Sequence, residues 1–241
     1  MYYYIYDSFL ADKRYSKTLA QIETRLTDLG INGKINHLSF LKNINDIISD
    51  EIKKGVNTIV VLGNDATINN VINIVADLNV VLGVIPLGKE QKISKLLGIP
   101  EGLAACEVLS SRIIKKINLG QINNSYFVTS LEAEGKNLFL ECDNNFIINL
   151  EKNNFIKINN KNPYQKDSDL EIIINNGSKR FFFLPAGSDT SYLRSQTVAI
   201  NSKKSMPILL NDEKRIIKTP ATVRLRTQKL KVIVGKSRLE K

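Results

Sequence analysis

The chain has 241 residues, a 43% hydrophobic fraction, and 34 Lys and Arg against 24 Asp and Glu, for a formal charge of +10. This length buries a sizeable core in one or two domains, and the ordinary apolar content excludes disorder, collagen and coiled coil as descriptions of the whole. Cys106 and Cys142 stand 36 positions apart and away from the lone His37, which argues against a disulfide framework or a structural zinc site.

Tyr2 to Tyr6 is aromatic and Ile-containing, as a strand should be. From Asp12 to Leu29, Tyr15, Leu19, Ile22 and Leu26 recur at helical spacing, and Gly30 is placed to end that helix. A short strand is expected around His37 to Phe40. Ile44, Ile47, Ile48 and Ile52 then mark a second amphipathic helix stopping at Gly55. Thr58 to Leu62 is a continuous apolar run typical of a strand buried on both faces. A polar loop from Gly63 to Thr67 leads to a helix beginning near Ile68, with Ile68, Val71, Ile72 and Val75 facing inward. Val80 to Ile85 is another buried strand. The alternation predicts an open parallel sheet flanked by helices over residues 1–118.

From 119 to 241 the texture changes. Tyr126 to Val128, Phe146 to Ile148, Phe155 to Ile158, Leu170 to Ile174, Arg180 to Leu184 and Thr197 to Ile200 are short β-rich runs separated by turn signals. They predict a C-terminal antiparallel β-sandwich domain, whose last strands return towards the first domain. The Asn pairs at 144–145, 153–154, 159–160 and 175–176 are expected in turns. No apolar run approaches the ~20 residues of a membrane span, and the N-terminus does not read as a signal peptide, so a reducing cytoplasm is expected. The densest basic set, Arg224, Arg226, Lys229, Lys231, Lys236, Arg238 and Lys241, alternates with Val223, Leu225, Leu230 and Val232. It reads as a solvated strand face, with an anionic membrane surface or a phosphorylated ligand as the functional alternatives. Nucleic acid is not an expected partner, because no basic stretch is interleaved with stacking aromatics.

In an open parallel sheet, ligands bind at the carboxyl ends of the strands. Two loops have that position. In Gly63-Asn64-Asp65-Ala66-Thr67, Gly63 permits a strained turn, Ala66 is small and the Thr67 hydroxyl can cap the helix. The same residues also make a common surface turn. In the second loop Gly88 opens the backbone, and Lys89, Lys92 and Lys95 are expected along one side of the next helix, where lysines are more often solvated than bound to phosphate. His37 reads as an ordinary strand or loop residue, and Cys106 as a small buried filler.

Taken in order, these loops resemble the diacylglycerol kinase catalytic-domain family, which includes sphingosine kinases and bacterial lipid kinases. The family's GGDGTxNE signature aligns without gaps on Gly63 to Asn70, and its PLGTGNDxAxxLGIP segment on Pro86 to Pro100. Ile117 to Phe127 resembles the stretch leading into the family's β-sandwich, and Asn211-Asp212-Glu213 followed by Thr219 to Val223 resembles its DGE motif and final strands. The resemblance implies a two-domain fold with ATP in the cleft and γ-phosphoryl transfer to a lipid hydroxyl, with Mg as the usual companion. It implies Glu213 as the base and Asp65 as the residue placing the metal-nucleotide unit. Gly63, Asn64, Ala66, Thr67, Gly88, Lys89 and Lys92 would line the cofactor.

The departures from the pattern define a rival. The second and third loop glycines are Asn64 and Ala66, the loop-helix glutamate is Asn70, the aspartate of GTGND is Lys92, and Tyr6-Asp7-Ser8 replaces the usual Asn-Pro start. These changes fit a catalytically degenerate kinase fold that binds nucleotide or phospholipid as a scaffold. A NAD kinase relative shares the loop logic but not the DGE-like segment. The expected partners are a small-molecule or lipid substrate and, peripherally, the inner membrane surface; a homo-oligomer stays open.

Overall fold

A computed structural model describes residues 1–39, 43–166, 168–176, 190–202, 205–211 and 213–236. Phe40, the Arg180 to Leu184 run, Asp212, Arg238 and Lys241 lie outside the described residues. The chain divides into two compact units, Met1–Ile117 with Lys229–Lys241, and Asn118–Gln228.

The first unit contains β1 (Tyr2–Tyr6), α1 (Ser16–Asp28), β2 (Lys34–His37), α2 (Ile44–Lys53), β3 (Thr58–Gly63), α3 (Asp65–Val75), β4 (Val81–Pro86), α4 (Lys92–Leu97) and α5 (Ala105–Ser111). Its strands run parallel in the order β2-β1-β3-β4. Lys231 and Val232 extend this sheet by pairing in parallel with Val81 and Leu82. Both β3 and β4 are buried at every position, as their unbroken apolar sequences require. Leu19, Ile22 and Leu26 form the buried face of α1.

Three boundaries differ from expectation, each for a local reason. The first helix begins at Ser16 rather than Asp12, because the Asp7 and Asp12 carboxylates each accept a backbone N–H two residues on and hold separate 3-10 turns. Tyr15 therefore lies before α1. The second strand is Lys34–His37, ending where the expected one began. It is an edge strand, and its mostly exposed residues give no apolar run to mark it. Glu51, buried on α2, accepts from Lys34 of this strand at 2.5 Å and from Lys54 at 3.0 Å. The third helix starts at Asp65, three residues before Ile68, because Asn64 supplies its cap.

The chain leaves along β5 (Ile114–Ile122) and builds β6 (Ser125–Phe127), β7 (Ser130–Gly135), β8 (Leu138–Cys142), β9 (Phe146–Leu150), β10 (Asn154–Asn159), β11 (Leu170–Asn176), β12 (Thr190–Ser195), β13 (Thr197–Asn201), β14 (Met206–Leu210), β15 (Glu213–Ile217) and β16 (Ala221–Ile233). In the second unit one antiparallel sheet has the order β12-β11-β10-β7-β14-β15. The other joins the start of β16 to β13, β8 and β9. Leu131, Ile156, Ile172 and Ile208 of the first and Leu140, Val198, Ile200 and Val223 of the second share one buried core. This is the predicted α/β unit plus antiparallel sandwich.

Not every Asn pair marks a turn. Asn144 does, with φ +56° beside Asp143 at φ +48°. By contrast Asn154 opens β10, and Asn175 and Asn176 lie in β11; the Asn175 side chain donates to the Thr190 hydroxyl at 3.0 Å. Asn118 knots the second unit. Its backbone N–H donates to Pro163 O at 2.6 Å, its Nδ2 to Ser168 Oγ at 2.9 Å, and its Oδ1 accepts from Gln228 N at 2.8 Å. Gln228 has φ +48°, and this kink resets the alternation within β16, so that Val223 and then Leu230 and Val232 are all buried.

The basic C-terminal strand is less available than its composition suggests. Lys229 pairs with Asp77, Lys231 donates to Asn79 at 2.6 Å, and Arg224 donates to Gln121 at 3.0 Å. No helix among the described residues is long and apolar enough to cross a membrane.

The end of β16 is tied to the loop after α4. Gly235 N donates to Leu97 O at 3.0 Å, and a Cβ on Gly235 would lie 1.9 Å from the carbonyl oxygen of Gly98. Gly235→Ala is expected to lower stability by about 1–3 kcal/mol, the usual cost of overpacking against structure that must move. Chemical denaturation of the two proteins measures it.

Candidate functional site

Three turns meet at the carboxyl ends of the parallel strands β1, β3 and β4. The turn after β1 is fixed by Asp7, whose backbone N–H donates to Leu62 O at 2.9 Å and whose carboxylate accepts from Phe9 N at 3.3 Å. The turn after β3 is fixed by Asn64, in extended backbone at φ −92° and ψ 179°, whose Oδ1 accepts from Thr67 N at 3.2 Å. Asparagine is among the best N-caps, so the residue that departs from the glycine pattern takes over the start of α3. Thr67 is therefore not the cap. Its hydroxyl donates instead to Asp7 Oδ2.

Gly63 is required for closeness and not for a strained turn, since its φ is not in the left-handed region. A Cβ there would lie 3.0 Å from Asp7 Cβ, 3.1 Å from Asp7 Oδ2 and 3.3 Å from Thr67 Cβ. Gly88 does adopt a left-handed φ of +89°, with the Phe9 ring 2.9 Å from where its Cβ would be. The two loops are also tied directly, Leu87 N donating to Gly63 O at 3.0 Å and Asp65 N to Glu90 O at 3.1 Å.

Asp65 is the centre of this arrangement. It is buried, and its Oδ2 accepts from Lys92 N at 2.6 Å while Oδ1 accepts from Ile93 N at 3.2 Å. The aspartate at the first turn of α3 thus holds the first turn of α4. Lys92 opens α4 with its amide committed to Asp65, and Lys95 follows one turn later. Lys89 is not on that helix, because the chain turns through Gly88 and Glu90, at φ +89° and +62°, before α4 begins. Gly63, Asn64, Asp65, Ala66, Thr67, Gly88 and Lys92 are brought together by backbone and carboxylate ties, with Lys89 in the turn between.

Glu213 belongs to the second unit. It opens β15 in a hairpin with β14, paired with Leu210, and its carboxylate accepts from Arg215 Nη2 at 3.1 Å. Arg215 also donates to Ser125 Oγ at 3.1 Å. The hairpin turn is pinned by Asn211, whose buried Oδ1 accepts from Val128 N, Thr129 N and Thr129 Oγ1 at 3.2, 3.0 and 2.9 Å. Asn211 thereby anchors the end of β14, whose Leu210 pairs with Glu213.

Asp7, which holds the Thr67 hydroxyl beside the β3-α3 loop, was not singled out from the sequence as a candidate. The available signal was an aspartate directly after an aromatic strand, where a capping residue is expected. His37 ends β2 and packs edge-on against Tyr6, ring centres 5.0 Å apart, as an ordinary strand residue. Cys106 is buried on α5, and burial pushes its thiol up to about 11. Among the described residues no group of three or more His, Cys, Asp or Glu is placed to hold a metal ion.

With this geometry in hand, comparison with known proteins gives a consistent result. A family model described as the diacylglycerol kinase catalytic domain matches residues 2–122. The chain belongs to that family. It is 27% identical over 128 residues to a diacylglycerol kinase of Bacillus subtilis (strain 168), covering 52% of this chain and 42% of that protein. It is 31% identical over 88 residues to a diacylglycerol kinase of Staphylococcus haemolyticus (strain JCSC1435), covering 35% of this chain and 26% of that one. The matched stretches thus span less than half of these relatives. In fold the likeness extends further. The crystal structure of a diacylglycerol kinase from Bacillus anthracis str. Sterne superposes with a TM-score of 0.79 at 17% identity, covering 98% of this chain and 97% of that one. A putative diacylglycerol kinase from the same strain gives 0.79 at 16%.

Two outcomes follow from the local chemistry. Asp65→Ala removes the acceptor for the first two amides of α4 and is expected to cost about 1–2 kcal/mol, as lost caps do, read from denaturant midpoints against the unaltered protein. Cys106, buried and held protonated at neutral pH, is expected to resist iodoacetamide at pH 8 until denaturant is added; mass spectrometry of the alkylated peptides checks this.

Proposed function

We propose that the protein binds ATP at the paired loops and transfers its γ-phosphoryl group to a hydroxyl of a lipid of the diacylglycerol type. The observation that carries this reading is the Asp65 carboxylate, which locks the β3-α3 and β4-α4 loops into one surface at the carboxyl ends of the sheet. The first unit is then the nucleotide-binding domain and the second the sandwich domain.

In this reading Gly63, Asn64, Ala66 and Thr67 border the phosphates on one side, and Gly88, Lys89 and Lys92 border them on the other. Glu213 takes the proton of the acceptor hydroxyl as its oxygen bonds to the γ-phosphorus and the bond to the β-γ bridging oxygen breaks, releasing ADP. The pairing with Arg215 and the anchored hairpin hold the Glu213 carboxylate in one place. The donor set fits magnesium that arrives with the phosphates, which is bound by one or two carboxylates and not by an all-protein cage. Asp7, Asp65 and Thr67 supply hard oxygen donors for it. When bound, it supplies charge neutralisation on the transferring group.

A second reading is favoured by one specific observation. The Asn64 side chain occupies the Thr67 amide, and the Glu90 carbonyl occupies that of Asp65, so backbone donors that would meet a phosphate are already bonded. A scaffold that binds nucleotide or phospholipid without turnover has this character.

Transfer of labelled phosphate from ATP to diacylglycerol in mixed micelles separates the two. On the kinase reading the wild type turns over, and Glu213→Gln lowers kcat at least about a hundredfold, the usual contribution of a general base, while calorimetric binding of Mg-ATP is retained. Binding without transfer in the wild type selects the scaffold. Asn64→Gly is expected to cost only a few tenths of a kcal/mol in stability, as glycine is itself an acceptable cap, and to tighten nucleotide binding by freeing the Thr67 amide.

A further inference from the structure

Among the described residues β2 is an edge of the parallel sheet. It pairs with β1 on one side, and just past its end Leu38 N donates to Tyr6 O at 2.8 Å. Successive residues of a strand alternate in direction, so Lys34 and Asn36 also turn their backbone groups to β1, while the N–H and C=O of Ile35 and His37 point away from the sheet. Natural edges are commonly guarded by a charged side chain, a proline or a bulge. Here the guards are folded back. The Lys34 ammonium is held by buried Glu51 at 2.5 Å and lies 5.8 Å from the centre of the Tyr3 ring. Asn36 donates to Tyr3 Oη at 2.8 Å, and His37 packs on Tyr6. Ile35, 38% exposed, is the remaining side chain of the strand.

Helix α2 supplies the second wall of a groove of about 510 Å³ along this edge, through Ile47, Asp50, Glu51 and Lys54. A groove with an open strand edge as its floor is the setting in which an extended peptide adds as a further strand. Its charge is uneven. At the amino end of β2 the ammonium groups of Lys34 and Lys54 share one oxygen of Glu51, so a positive charge is left over. Asp50, the other acid of the groove, is taken by Lys53 of its own helix at 3.3 Å.

We infer that this groove is a docking site for an extended segment of a partner protein, which adds antiparallel to β2 and carries an acidic side chain towards its carboxyl end. Antiparallel pairing is the more stable per residue, and it sets the carboxyl end of the guest beside Lys34, where the unmatched positive charge lies. Main-chain bonds to Ile35 and His37 give affinity, and the acid between Lys34 and Lys54 fixes the register. A second copy of this chain is a poorer occupant. Two β2 strands paired antiparallel about their midpoint set Lys34 of each copy opposite His37 of the other, and the strand Lys-Ile-Asn-His offers no acid to answer either. The surface is separate from the paired loops and does not depend on the ATP reading.

The test screens the full chain against a positional-scanning library of blocked octapeptides, then titrates the selected peptide by calorimetry. That peptide carries Asp or Glu near its carboxyl end and β-branched residues before it. Saturation with it slows amide exchange at Ile35 and His37 by at least about tenfold, as entry into a hydrogen-bonded ladder does. Ile35→Pro removes an outward N–H and no bond to β1, a change that edge strands tolerate. It weakens the peptide by at least about tenfold, the effect of one or two lost main-chain bonds. Lys54→Gln, at an exposed position, weakens it by about threefold and flattens its salt dependence. A library that selects no peptide, or none with an acid, overturns the inference, as does unchanged exchange at Ile35 and His37 or an Ile35→Pro protein that binds like the wild type. Sedimentation showing wild-type dimers that Ile35→Pro dissociates assigns the edge to a second copy and overturns it too. If Ile35→Pro does not fold, judged by circular dichroism, the exchange pattern and Lys54→Gln decide in its place.

Discussion

A single carboxylate determines whether the two loops of the candidate site act as one surface. Asp65 stands at the first turn of α3 and accepts the first amides of α4, so each helix start is referenced to the other. Two helices following different strands would otherwise be placed by their packing on the sheet and by the two backbone ties between the loops, Leu87 N to Gly63 O and Asp65 N to Glu90 O. A buried carboxylate with two backbone donors tightens that placement, because a displaced amide leaves a charged acceptor unsatisfied in a poorly solvated place. The left-handed backbone at Gly88 and Glu90 serves this constraint by turning the chain sharply enough for Lys92 to arrive at Asp65.

Around that fixed point the chain has exchanged one way of stabilising its loops for another. Family glycines leave backbone donors open to a phosphate; here Asn64 closes one of them from within. The exchange makes the apo loop self-sufficient, since its helix start needs no ligand to satisfy it. It also shifts the character of the surface from a nest of donors towards oxygen atoms, contributed by Asp7, Asp65 and Thr67.

Much of the first unit was legible because its strands and helices advertise themselves one segment at a time. The unbroken apolar runs of β3 and β4 can only be buried strands, and Gly30 and Gly55 end α1 and α2 with positive φ as expected. The loops could be located for the same reason. What could not be read were features set by a distant partner. β2 is an edge strand with little apolar sequence. β7 carries Glu132 and Glu134, and nothing local reveals that Glu132 is buried against Lys157 across the sheet. Asn154 and Asn175 look like turn residues and sit in strands, where the Asn154 Nδ2 donates to Lys152 O and the Asn175 Nδ2 to the Thr190 hydroxyl. The role of Asp7 depends on a threonine sixty positions away. The start of α3 was misplaced because one asparagine was read as a missing glycine and not as a cap.

The hydrogen bond between Asn118 and Gln228 joins the first and last residues of the second unit. The sandwich is therefore an insertion, entered and left at one point, and the residues that complete the parallel sheet beside β4 come only after it. During synthesis on the ribosome, β1 to β4 emerge early and wait through more than a hundred further residues for Lys231 and Val232. Until then β4 presents an unpaired edge rich in Val and Ile, the kind of edge that invites pairing with another chain. The nascent α/β unit thus passes through a long vulnerable interval, and its completion is coupled by chain order to the prior emergence of the sandwich.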